Sequence, residues 1–352
     1  MDSHTLLNEL ATLVAMPSHK DPRPVLQYVA QRLPFLPWQW QPVAPEEGLY
    51  NLYALVPGTF LVINTHVDTV PPLGMEEPWR LRVVDGLAYG RGVVDTKGLL
   101  AALIVALEAF YQKTGRVPAS VALTVDEEQT SARGSTALAP RLRGREVLVL
   151  EPSQGQVCLQ QAGALEFRLT ARGEPVHAAV FSRGVNPVRV LMDLWPEMEA
   201  RLGLPVNVLQ FQGGWEHYVT PPNAHVLAEV LLPAGRTWRE AEASLLDLFA
   251  TPPWRHRINY ERVDAEDPLD LGGRHAAIWL ARAYERVLGT APPQGTMPSW
   301  TDAAAFVRAG VPSVVFGFGD LAVAHTPREA IAVDDLTRMA QVLYSLFSIL
   351  TQ

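Results

Sequence analysis

Cysteine is nearly missing from this 352-residue chain, in which Cys158 stands alone. One cysteine cannot close an intramolecular disulfide, and no thiolate cluster for a structural zinc can be assembled. Cys158 reads as a small buried hydrophobe, and a chain without disulfides suits a reducing cytosol. Basic blocks are missing too. Lys and Arg total 29 against 37 Asp and Glu, a net charge of -8, which argues against nucleic acid as a partner. No apolar run is long enough to span a bilayer. The longest apolar helical stretch, 98–111, is short and carries Glu108, so no membrane partner is expected. Asp2 and Glu9 stand where a secretory signal would carry basic residues, so a cytoplasmic location is expected. Internal repeats and low-complexity tracts are also absent.

What remains is an ordinary globular composition, 48% hydrophobic and 19% charged, with length for roughly two domains. Residues 60–64, 120–125, 146–150 and 313–316 are short apolar runs rich in β-branched residues, as strands buried on both faces are. A helix is expected over 97–111, between the first two. Strands alternating with helices predict an α/β fold with a mostly parallel central sheet flanked by helices. From Gly163 the pattern changes. An alternating strand over 164–172, a helix over 187–202, strands over 206–212 and 226–232 and a helix over 237–250 predict an inserted α+β unit. The expected division is 1–162 and 268–352 for the larger domain, with 163–267 inserted. The polar, proline-containing stretch 264–270 reads as the return hinge, and a helix resumes over 274–288.

Each buried strand is followed by residues that bind metals. His66 and Asp68 follow the first, spaced so that both side chains point the same way on an extended chain. Asp95 precedes the buried helix. Asp126, Glu127 and Glu128 end the second strand, Glu151 ends the third, and His325 follows the fourth. In a parallel sheet these ends share one edge, where ligands of open α/β sheets bind. So many carboxylates in one crevice must be protonated or neutralised by cations. Two divalent ions would do this, and His with carboxylate donors suits Zn²⁺, with Co²⁺ or Mn²⁺ possible. Taken singly, Asp95 would be a helix cap, Glu127–Glu128 a solvated pair and either histidine a loop residue. Taken together, their shared position favours a metal centre.

In its motifs the chain resembles the zinc aminoacylase, acetylornithine deacetylase, succinyl-diaminopimelate desuccinylase and glutamate carboxypeptidase group of co-catalytic metallohydrolases. The matching stretches are Thr65-His66-Val-Asp68-Thr-Val-Pro, Gly86 to Gly98 with Gly90-Arg91-Gly92-Val-Val-Asp95-Thr-Lys97, Asp126-Glu127-Glu128, Glu151-Pro152 and His325-Thr-Pro-Arg-Glu329. The resemblance implies that His66, Glu128, Glu151 and His325 are terminal metal ligands and that Asp95 bridges two ions. It implies that Asp68 orients His66 and that Glu127 is the general base toward an activated water. In the inserted unit, Gly173-Glu-Pro-Val-His177-Ala-Ala and Gly184-Val-Asn186 match the group's lid. There His177 would stabilise the oxyanion, Asn223 would face substrate, and the inserted unit would form a homodimer.

One departure stands out. Where the group has an Asp-x-Arg triplet whose arginine grips a substrate carboxylate, this chain has Glu229-Val-Leu231, and leucine cannot bind a carboxylate. Trp300-Thr301-Asp302 occupies a pocket-lining position. The expected activity is hydrolysis of an N-acyl-L-amino acid, as by acetylornithine or acetyl-lysine deacetylases of amino-acid biosynthesis. The alternatives are a dipeptidase or carboxypeptidase of the same fold acting on short peptides, and a catalytically silent metabolite-binding homologue.

Overall fold

The structure, a computed structural model, describes residues 2–129 and 132–352. The chain divides into two units. One comprises residues 1–160, 270–297 and 301–352, and the other residues 161–269 and 298–300.

The larger unit is built on a nine-stranded sheet. At its centre lie Ser120–Thr124, Leu61–His66, Glu146–Val149 and Ser313–Val315, in that spatial order and mutually parallel. Every residue of these four strands is buried, which explains why their sequences are mostly apolar and show no alternating polar face. The mostly parallel α/β architecture is therefore the expected one. Its margins are antiparallel. Gln39–Ala44 pairs with Leu49–Ala54, which pairs with Ser120–Thr124, and Val157–Gln161 runs against Ser313–Val315.

Helices form the layers beside this sheet. Lys97–Thr114 is buried along most of its length and packs against Val333–Leu350, which also contacts Arg274–Leu288. Leu103, Ile104, Leu343 and Phe347, all 1% exposed or less, belong to one apolar core. Two amino-terminal helices, Ser3–Val14 and Arg23–Arg32, contribute Leu10, Leu13 and Leu26 to it. Asp2 caps the first of them, accepting from the amides of His4 and Thr5.

The inserted unit has a four-stranded antiparallel sheet, with helices Pro187–Leu202 and Trp238–Phe249 packed on it. Strand Gly163–Arg172 lies between Asn223–Leu232 and Ile258–Glu266, and Asn207–Gly213 is at the far edge. The sequence pattern missed Ile258–Glu266 and assigned its last residues to a hinge. No residue of this edge strand is fully buried. Ile258, Tyr260 and Ala265 touch the core, but the charged Glu261, Arg262 and Asp264 between them break the apolar alternation that periodicity would detect. Its neighbour Asn223–Leu232 alternates cleanly, with Ala224, Val226, Ala228, Val230 and Leu232 buried. Among the described residues, no helix is long and apolar enough to cross a membrane.

Candidate metal centre

The four parallel strands end together, and the residues after them form the site. His66 is the last residue of Leu61–His66 and is 1% exposed. Its position is fixed by hydroxyl ladders between neighbouring segments. Thr96 Oγ1 donates to the His66 carbonyl at 2.8 Å, and Thr65 Oγ1 donates to Thr96 Oγ1 at 2.8 Å. Glu128 and the segment 68–70 are tied by two bonds from backbone amides to carboxylates. Glu128 N donates to Asp68 Oδ2 at 3.1 Å, and Val70 N donates to Glu128 Oε1 at 3.2 Å. Gly317 lets the neighbouring chain approach Glu151 closely, because a Cβ there would lie 2.5 Å from the Glu151 carbonyl oxygen. Asp126 and His325 both have positive φ, 68° and 62°. Asp and His tolerate that conformation better than most residues, and backbone held there re-aims the side chains around it.

Asp95 sits between the two histidines. His66 Nε2 lies 2.8 Å from Asp95 Oδ1, and His325 Nε2 lies 3.3 Å from Asp95 Oδ2. His325 Nε2 is also 2.9 Å from Glu128 Oε2, and His66 Nε2 is 3.7 Å from Glu151 Oε1. Ligands about 2.0–2.2 Å from a common ion stand roughly 3 Å apart, so these separations suit metal donors. His66, Asp95 and Glu128 offer ligand atoms within 4.8 Å of one another. Glu151 Oε1 is buried and makes no hydrogen bond, an orphan acceptor whose missing partner a cation would supply. The donor set therefore fits divalent ions.

The electrostatics agree. Burial pushes the carboxyls of Glu127 and Glu151 well above the usual carboxylate range. His66 pulls both back, and the neighbouring acids push them up again. Glu128 is raised by burial and by Asp95. Burial alone would lower His66, but Glu151, Asp68 and Asp95 outweigh it and hold the imidazolium well above its ordinary value. Hydrogen bonds to Asp95 and Glu128 lift His325 to about 10. Without cations, then, this cluster holds its charge balance with protons.

Two site residues take positions that motif spacing does not specify. The closest partner of His66 Nδ1 is the backbone carbonyl of Asp68 at 3.0 Å, while the carboxylate Oδ1 is 3.7 Å away. Asp302, assigned to a pocket lining, is wholly buried and receives a 2.5 Å hydrogen bond from Thr124 Oγ1. Burial raises its carboxyl, and His66 and Asp68 are among the groups that act on it. Asp302 opens the small-residue helix Asp302–Arg308. Lys97, from the Asp95 motif, is also buried. Its Nζ donates to the Met16 carbonyl at 2.7 Å, and burial pulls the amine down to about 7.

The inserted unit carries the remaining candidates. His177 is exposed and precedes the short 3-10 turn Ala178–Arg183, with its Nδ1 accepting from Ala179 N at 3.2 Å. Asn223 is exposed at the start of Asn223–Leu232. Leu231, 45% exposed, lies on the same strand between buried Val230 and Leu232, so its side chain points away from the apolar core of this unit.

Two imidazoles and a group of buried carboxylates, gathered at the carboxyl edge of a parallel sheet, define a metallohydrolase of the α/β class. The model of peptidase family M20/M25/M40 matches residues 62–348, and the chain belongs to that family. It is an enzyme, a hydrolase. It is 26% identical over 387 residues to a succinyl-diaminopimelate desuccinylase of Methylorubrum extorquens, covering 97% of this chain and 98% of that one. It is 27% identical over 368 residues to an N-acetyl-L-citrulline deacetylase of Xanthomonas campestris pv. campestris, covering 95% of each chain. A tripeptidase from Staphylococcus aureus shares the fold, with a TM-score of 0.77 at 20% identity over 99% of both chains.

Proposed function

We propose that this chain is a two-metal amidohydrolase that releases a free amino acid from an N-acyl-L-amino acid, in the manner of an acetylornithine or acetyl-lysine deacetylase. The observation that carries this reading is the Asp95 carboxylate, which presents one oxygen to His66 and the other to His325. In this assignment Asp95 bridges, His66 and Glu151 hold one side, and His325 and Glu128 hold the other. The bound ions, most simply Zn²⁺, supply Lewis acidity and the positive charge that the clustered carboxylates need.

The protein's own groups do the rest. Glu127 is the general base. Burial raises its carboxyl, and a desolvated carboxyl is better matched to proton transfer near neutrality than an exposed glutamate. It takes the proton of the attacking water and returns it to the departing amine. Asp68 steadies His66 through its carbonyl and carboxylate. His177 donates to the oxyanion, and Asn223 holds the substrate. The desuccinylase and deacetylase relatives support acyl-amino-acid substrates. With Leu231 where the motif group has an arginine, a carboxylate of the substrate must find a different partner.

The test is a panel of acetylated, succinylated and peptide-linked amino acids presented to the Zn²⁺- and Co²⁺-loaded chain. Turnover of an acetylated amino acid is expected. Glu127→Ala should retain its metal and lose about 10²–10⁴-fold in kcat. Hydrolysis of peptides alone would replace deacylation by peptidase activity, and undiminished turnover in Glu127→Ala would remove the assigned base.

A further inference from the structure

We propose that Glu329, paired with Arg91, is a positioning residue that fixes the Asp95 ligand loop before any metal ion arrives. The inference deepens the two-metal reading above and rests on it. Glu329 is 1% exposed and lies four residues beyond His325. Four donors converge on its carboxylate. Oε1 accepts from Val94 N at 3.0 Å and Asp95 N at 3.3 Å, while Oε2 accepts from Gly92 N at 3.1 Å and Arg91 Nη1 at 2.5 Å. The segment that presents Asp95 is thus held by its backbone amides, on a side chain from the His325 segment.

Arg91 extends the connection. It is fully buried, and its Nη2 donates to the Pro72 carbonyl at 2.8 Å and the Thr326 carbonyl at 3.4 Å. One ion pair therefore ties together the stretch after Asp68, the stretch leading to Asp95 and the stretch after His325. Neither Glu329 nor Arg91 has a contact with the Asp95 carboxylate among these bonds, so both act through the main chain. A ligand on an ordered loop binds metal without the entropic cost of ordering that loop. Buried amides with no carboxylate to accept them would also favour other loop arrangements.

Glu329→Gln tests this, because it keeps the shape and one acceptor oxygen but turns an amide NH₂ toward one pair of donors, either Gly92 N–H and Arg91 or Val94 N–H and Asp95 N–H. Zn²⁺ affinity, measured by chelator competition, should fall about 10- to 100-fold, the range for groups that orient metal ligands. The variant should still melt cooperatively, and KM for the hydrolysed substrate should stay within about twofold. A folded Glu329→Gln chain with parental Zn²⁺ affinity would overturn the proposal.

Amide exchange in the unsubstituted, metal-free chain gives a second measurement that needs no variant. The amides of Gly92, Val94 and Asp95 should already exchange at least about 100-fold slower than in an unstructured peptide. Rapid exchange that slows only when Zn²⁺ is added would overturn the proposal, since the ion would then be ordering the loop. A parent chain that binds no Zn²⁺ would overturn the two-metal reading, while exchange in the metal-free chain would still decide the role of Glu329.

Discussion

His177 has one ring nitrogen already committed. Ala179 donates to its Nδ1, so the neutral imidazole carries its proton on Nε2 and has a donor to offer an oxyanion. His177→Ala should lower kcat about 10²–10³-fold, the usual cost of removing one oxyanion donor, and leave metal content unchanged; steady-state kinetics with metal analysis checks it, and an unchanged kcat would end the role. At this scale the sequence was informative where chemistry follows a strand end. The grouping of His66, Asp95, Glu128, Glu151 and His325 was legible because His66, Glu128 and Glu151 stand at or just beyond the carboxyl ends of mostly apolar buried strands. Asp302 and Glu329 were less so. What they do depends on Thr124 and on the amides of residues 92–95, which lie 178 and more than 230 positions away in sequence. No local pattern encodes such contacts.

Among the elements, the four central strands and the helices Lys97–Thr114, Pro187–Leu202 and Arg274–Leu288 followed from hydrophobic pattern alone. The edge strand Ile258–Glu266 did not, because both its faces are at least partly solvated. That strand completes an acidic row across the inserted sheet, in which Glu229 pairs with Glu166 and Glu166 pairs with Asp264. Burial and the facing Glu166 both raise the Glu229 carboxyl. A carboxyl raised by folding gives its full contribution below its unfolded pKa of about 4.3 and loses it as pH rises through the folded value. Glu229→Gln should therefore stabilise the chain near pH 8 by about 0.2–1 kcal/mol, the scale of a like-charge cross-strand pair. Thermal melts at several pH values check it. The gain should fade in acid, and a loss of stability at pH 8 would show that the row carries interactions beyond repulsion.

For the whole molecule, metal and proton compete for one cluster. Ions require neutral imidazoles and ionised carboxylates, whereas the metal-free chain holds His325 protonated up to about 10 and keeps Glu127, Glu128 and Glu151 raised. The gain in Tm on adding Zn²⁺ should therefore grow as pH rises from about 6 to about 9, because fewer protons remain to be displaced. The quantity to compare is loaded minus metal-free Tm at each pH. Lys97, lowered to about 7, makes the metal-free chain itself more stable with rising pH and partly hides the effect of His325 in a single curve. A gain that stayed flat or shrank with pH would place the binding elsewhere. The central claim, a two-ion centre bridged by Asp95, is tested most directly by counting Zn²⁺ per folded chain after metal removal and titration. The account predicts two ions for the parent and loss of at least one in Asp95→Ala; a parent chain that takes up one ion or none would contradict it.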